Sequence, residues 1–231
     1  MIIFDGKALE SVANVKIEDI RVSPIALNPV ARDRAVQWGA DFVRMRGGTR
    51  TVAVTFALLD MNRVNRYEQI MNITQWAKSD KAYKLELPTE PTRYLNAVCT
   101  SRPEPSTRQW WESKLRLVFT CFDPYWINKG EKSVACGTQF TVAGDAPPLM
   151  RIERTLTGNA SNQSYSDGTH TMTFSTIPTG GMVIDLNKQT AAVGSTSIMQ
   201  YFQPSGAFIP PVTGTQTITG TGTVKYRERW Q

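Results

Sequence analysis

Residues 114–122 alternate without a break. Leu115, Leu117, Phe119 and Cys121 fall on one side, and Lys114, Arg116, Val118, Thr120 and Phe122 on the other. A period of two is that of a β-strand with one apolar face. Pro124 is expected to end this strand, because proline has no N–H to give a ladder, and to hold Asp123 extended. Two further strands are predicted before it, over residues 83–87 and 93–100, joined by a turn at 88–91.

Upstream, residues 2–4 read as a short strand turned at Asp5-Gly6, and residues 12–22 as a longer, partly charged one. Residues 23–40 show no period and carry the charged run Arg32-Asp33-Arg34. A loop of that length in a compact domain is expected to be functional or ordered by a partner. Residues 42–46 and 50–59 alternate around Gly47-Gly48, which predicts a hairpin. Asp60 is placed to cap a helix over about residues 62–78. In that helix Val64, Tyr67, Ile70, Met71, Thr74 and Ala77 recur at i, i+3, i+4, and the stripe is expected to pack on the core.

Past Tyr125 the pattern changes. Residues 137–148 read as a linker with one short strand. Strands are predicted at 150–156, 170–174, 182–186, 191–193, 199–202 and 217–227, with turn residues between them. Short strands at that spacing predict a β-sandwich or small barrel. The fold class is therefore mainly β, with one helix in the first half.

Charge sharpens the division. Residues 1–130 hold 19 Lys+Arg and 14 Asp+Glu, a net of +5, and residues 131–231 hold 7 and 6, a net of +1, together the +6 of the whole chain. The expected domains are thus 1–130 and 131–231, with the last strand able to pack back on the first domain. The basic residues form no run, so a nucleic-acid surface is weakly supported. No basic segment followed by an apolar run opens the sequence, so no signal peptide is expected, and synthesis in a cytoplasm is. No apolar stretch is long enough to cross a membrane as a helix.

Candidate chemistry is sparse. Cys99, Cys121 and Cys136 follow no metal-ligand spacing, and His170 is the single histidine, so no metal, cofactor or catalytic residue is assigned. His170 reads as a strand-end residue near Asp167. Asp167 and Asp185 read as turn residues rather than a glycosidase pair. Gly220-Thr221-Gly222 lacks the Gly-Lys-Ser/Thr of a phosphate loop and reads as a bulge or hairpin device. Trp110-Trp111 reads as a packing or subunit anchor.

The order of these elements resembles the siphophage distal tail protein (Dit) family. The residues that carry the resemblance are Ile2-Ile3-Phe4, the hairpin at Gly47-Gly48, the helix ending near Trp76, Arg93-Tyr94-Leu95-Asn96-Ala97, and 115–122 running into Asp123-Pro124-Tyr125. Met182-Val183-Ile184-Asp185 and the closing 225–230 are similar to later parts of the same family. The resemblance implies a non-enzymatic virion protein at the tail tip, built from a ring-forming β-sandwich with a helix and a hairpin arm and from a galectin-like β-sandwich. It implies a homo-hexamer, as one ring or two stacked rings, joining the tail tube protein to the tail-associated hub protein and letting DNA pass. The basic surplus is not expected to line that passage, since a positive channel would hold phosphates. Arg32, Asp33, Arg34, Arg44, Arg46, Trp110 and Trp111 are the candidate oligomer interface. The alternative is a carbohydrate-binding module contacting host-wall saccharide through Tyr165, Tyr201 and Phe202.

Overall fold

The computed structural model describes residues 1–33, 40–60, 62–102 and 114–231. Two compact units divide the chain, Met1–Trp126 and Ile127–Gln231. The first contains β1 (Ile3–Phe4), β2 (Lys7–Ala8), β3 (Val15–Val22), β4 (Leu27–Asp33), β5 (Ala40–Gly47), β6 (Arg50–Leu58), α1 (Arg63–Ala77), β7 (Tyr83–Glu86) and β8 (Arg93–Cys99). Strand β9 (Lys114–Asn128) begins there and runs into the second unit. The second unit continues with β10 (Lys132–Ala135), β11 (Gln139–Val142), β12 (Ala146–Leu156), β13 (Ala160–Ser166), β14 (Thr171–Ile177) and β15 (Gly180–Asp185). It ends with β16 (Thr190–Val193), β17 (Thr196–Ser197), β18 (Gly214–Thr217) and β19 (Thr223–Trp230).

In the first unit the strands follow the order β3–β6–β9–β8–β7–β1–β2. The alternation of β9 becomes burial: Leu115, Leu117, Phe119 and Cys121 are inside, while Phe122 is 66% exposed. Pro124 does not end β9. The ladder with β6 closes at Arg50↔Cys121, so Pro124 lies beyond that partner and β6 does not ask it for an N–H. Gly47-Gly48 makes no hairpin either. β5 pairs with β4 in a two-stranded ribbon of its own, and β6 pairs with β3 and β9. Much of the aperiodic 23–40 segment is thus strand. It alternates against no core because its ribbon joins no core sheet.

α1 is capped by Asn62 rather than Asp60: the Val64 N–H donates to Asn62 Oδ1 at 2.9 Å. Asp60 supports the cap, accepting from Asn62 N at 2.8 Å and Asn65 Nδ2 at 3.0 Å, bonds that hold its carboxyl below the usual range. The buried face is Ile73, Trp76 and Ala77, and Val64, Tyr67 and Met71 of the predicted stripe are exposed. The predicted stripe mixed two apolar faces of one helix, and periodicity cannot say which of two meets the sheet. Trp76 decides it. Its ring meets Phe4 at 5.7 Å and Phe119 at 6.2 Å, and its Nε1–H donates to Lys7 O at 2.9 Å.

In the second unit β17–β16–β15–β12–β19 form a sheet, with β10 also on β19. Two ribbons, β11–β18 and β13–β14, supply the rest of the core. Met150, Ile152, Met182, Ile184 and Val224 of the sheet share one cluster with Phe140, Tyr165, Met172 and Phe174 of the ribbons. This is two-layer packing. The predicted strand at 199–202 is a short helical turn, Met199–Tyr201, and the one at 217–227 is divided into β18 and β19. Gly220 explains that division. At φ +127° it occupies a conformation side chains avoid, and a Cβ there would lie 2.5 Å from Tyr165 Cδ1. The predicted linker holds β11 and the start of β12.

On one face of β12 and β19 charges pair across strands. Glu153 accepts from Arg151 Nε at 2.6 Å and pairs with Lys225 Nζ at 2.7 Å. Arg151 also forks onto Glu131 at 2.7 and 2.9 Å. The bonds from Lys225 and Arg151 hold the Glu153 carboxyl below its ordinary 4.5. A depressed folded value adds stability above the unfolded value and loses it as pH falls through the folded one. In urea titrations, Glu153→Gln is expected to be less stable than the parent at pH 7, by roughly 1 kcal/mol or less for a partly exposed pair. That gap closes below about pH 4.5; a gap unchanged at pH 3 would remove the ion pair as its cause. On α1, Ile73→Ala is expected to cost about 2–5 kcal/mol. Val64→Ala stays within about 0.5 kcal/mol in the same titration. Equal costs would place the wrong face inward.

Candidate interaction surfaces

The polar groups with catalytic potential are engaged in turns. Asp167 Oδ1 accepts from Thr169 N at 2.8 Å and His170 N at 2.5 Å, and Oδ2 meets His170 Nδ1 at 3.1 Å. Burial raises the Asp167 pKa, but the bonds from His170 and Thr169 prevail and hold it below the ordinary value. Ser166 Oγ donates to the His170 carbonyl at 2.9 Å, so it is turned to the backbone and not to the imidazole. Asp185 accepts from Asn187 N and Lys188 N at 3.1 and 3.0 Å, closing the β15–β16 turn. Cys121 is buried, which pushes its thiol up to about 12, and burial also raises Cys99 and Cys136. Among the described residues no group of three metal-ligating side chains comes together.

The sequence-predicted interface residues fall into two sets. Arg32 and Asp33 lie on β4, and Arg44 and Arg46 on β5, paired through the backbone as Arg32↔Asp41, Asp33↔Ala40, Val30↔Arg44 and Asn28↔Arg46. Their ribbon is the element that stands apart from the main ladder. Its base is fixed by Gly48 N donating to Ala26 O at 2.6 Å and Ala26 N to Thr49 O at 3.1 Å. Arg34, Trp110 and Trp111 lie outside the described residues.

The saccharide candidates do not form one platform. Tyr165 is 1% exposed, its ring seated on Gly220 and its hydroxyl donating to Thr221 O at 3.1 Å. It offers no face to a sugar. Phe202 is half-buried, stacked on Phe208 at 5.0 Å and edge-on to Phe174 at 5.5 Å. Tyr201, half-buried, borders a small cavity of about 240 Å³ with Thr179, Thr196, Ser197 and Gln200.

Sequence reasoning missed the surface that the helix presents outward. Val64 and Tyr67 are 66% and 67% exposed and Met71 45%. Met71 also borders a groove of about 560 Å³ with Thr74, Gln75, Lys78, Ser79 and Cys99. Beside the helix, β3 pairs only with β6 among the described residues. Its Val15, Ile17, Ile20 and Val22 pair with Leu58, Phe56, Val54 and Val52, which are buried, yet are themselves only half-buried. The signal was available: Val64, Tyr67 and Met71 and the Ile73, Trp76 and Ala77 set are two apolar stripes on one helix, and one domain core can take only one.

No family model matches the chain, and no curated protein matches it. Solved structures do. The SPP1 Dit (gp 19.1) protein, described as a paradigm of the hub adsorption apparatus in Gram-positive infecting phages, is similar over 100% of this chain and 98% of its own, at 18% identity and a TM-score of 0.77. A chain of the phage p2 baseplate in its activated conformation with Ca matches over 95% of this chain and 91% of its own, at 10% identity and a TM-score of 0.50. The chain therefore has, from end to end, the mainly β fold of the SPP1 Dit protein.

Proposed function

We propose that this chain is a structural subunit of a phage tail hub, and not an enzyme. Six copies close a ring at the tail tip, join the tail tube protein to the tail-associated hub protein, and leave a lumen through which DNA passes. The observation that carries this reading is the likeness to SPP1 Dit over 100% of this chain and 98% of that one. A shared domain alone would say little about function. Here both units and their order correspond to a single hub protein. The turn-bound Asp167, His170 and Asp185 leave the described residues with no assembled nucleophile and base.

A ring needs two different faces that complement each other on successive copies. The β4–β5 ribbon supplies one. It is a two-stranded ladder outside the main sheet, and an isolated two-stranded ribbon is marginal in water, so contact with a neighbour stabilises it. This makes the ribbon the arm by which one copy holds the next.

The ribbon can be excised cleanly, because its base is closed by the Ala26–Gly48 and Ala26–Thr49 backbone bonds. Replacing residues 28–46 with a two-residue turn is expected to leave a folded, soluble monomer on sizing with light scattering. The parent chain should run at about 155 kDa, six times its 25.8 kDa. A ribbon-less chain that still elutes as the ring would remove the arm from the account.

A further inference from the structure

The apolar side chains on the outer face of α1 have no function in the fold of their own unit. Ile73, Trp76 and Ala77 already fill the inner face. A helix with a second apolar stripe is one made to be covered on both sides. Leu59 lies just before the helix and is 49% exposed. Its N–H donates to Asn14 O at 3.0 Å, and Asn14 N donates to Gln69 Oε1 at 3.2 Å. Those two bonds hold the helix beside the start of β3. The helix stripe, Leu59 and the half-buried apolar row of β3 are therefore carried by neighbouring elements.

The size and chemistry of this surface select the class of occupant. Val64, Tyr67, Met71 and Leu59 leave on the order of 400 Å² of apolar surface, within the range of a monomer's largest patch, which is often functional. That is about half of the ~800 Å² each partner contributes to a standard interface. The half-covered row of β3 supplies part of the remainder. The exposed polar residues of the helix are Asn65, Glu68, Asn72 and Gln75, so one charge lies among three neutral amides. A surface poor in cations does not suit nucleic acid or an anionic membrane, and charge-depleted cores are the mark of protein interfaces. β3 itself carries Lys16, Glu18, Asp19 and Arg21 and a register shift between Ile17 and Asp19, the devices that keep an open edge from recruiting stray strands. Side-chain packing, rather than strand addition, is left as its mode of contact.

We infer that the outer face of α1, with Leu59 and the β3 edge, is a copy-to-copy interface, covered by the next copy of this chain. The inference rests on the ring reading above and assigns to that ring a second contact distinct from the ribbon. A closed ring of identical subunits must bury a non-ribbon surface on the same unit, and this one has the area and the neutral rim that a permanent contact needs.

The test is Tyr67→Glu/Met71→Glu in the full chain, with the parent alongside. Both side chains are exposed and glutamate is a good helix former, so the melting temperature of the monomeric variant should show a single cooperative transition. Light scattering is expected to give about 155 kDa for the parent and 25.8 kDa for the variant. Covering is read directly by a second variant, Met71→Cys. A maleimide should label it at least tenfold more slowly in the assembled chain than in the same variant carrying the ribbon excision. The native thiols form a slow background, subtracted with the parent. A parent ring that persists unchanged in the double variant, or equal labelling in both states, overturns this inference and leaves the ring reading standing. A parent that is itself a 25.8 kDa monomer overturns the ring reading first.

Discussion

The contact of Trp76 with Phe4 and Phe119 fixes what the first unit can do. It joins the helix, the first strand and the longest strand in one aromatic cluster, at centroid separations of 5.7, 6.2 and 5.2 Å. The indole N–H is satisfied by Lys7 O, so the ring is held in orientation as well as in depth. Once that rotation is fixed, every other position of α1 follows from the 100° step. Ile73 and Ala77 go inward, and Val64, Tyr67 and Met71 go out. The outward apolar face is thus a consequence of the core, and the need for a partner follows from both.

The second unit is organised by a different constraint. Tyr165 is the single buried residue of β13, and its ring needs the space that Gly220 leaves by having no side chain. Its hydroxyl then bonds Thr221 O, so the ribbon β13–β14 is tied to the approach of β19. β19 is further held by Glu228, which accepts from Lys132 Nζ at 2.5 Å and from Ala143 N at 3.1 Å. Burial pushes that carboxyl up, and the Lys132 and Ala143 bonds outweigh it and hold it below its ordinary value. With its aromatic and acidic side chains committed to these ties, the unit is built for rigidity.

The fold was legible where one face of an element meets one core. β9 is the clear case, and its alternation translates residue by residue into burial. β13 was not legible, because a strand with one buried residue has no period to read. The two stripes of α1 were visible, but their assignment depended on Trp76 meeting Phe4, a contact across 72 residues that no local pattern contains. The ribbon β4–β5 was read as a loop for the opposite reason: it belongs to no core, so nothing selects for alternation along it. Of the proposed contact surfaces, the arm was marked by its charged residues, whereas the helix face was mistaken for core. An apolar residue awaiting a partner subunit has the same chemistry as one awaiting its own sheet.

The central claim is that this chain is complete only among copies of itself. Native mass spectrometry of the intact chain at micromolar concentration tests it most directly. The account expects a principal species near 155 kDa, or twice that for two stacked rings, with little free subunit. A spectrum dominated by the 25.8 kDa monomer across that range would contradict it.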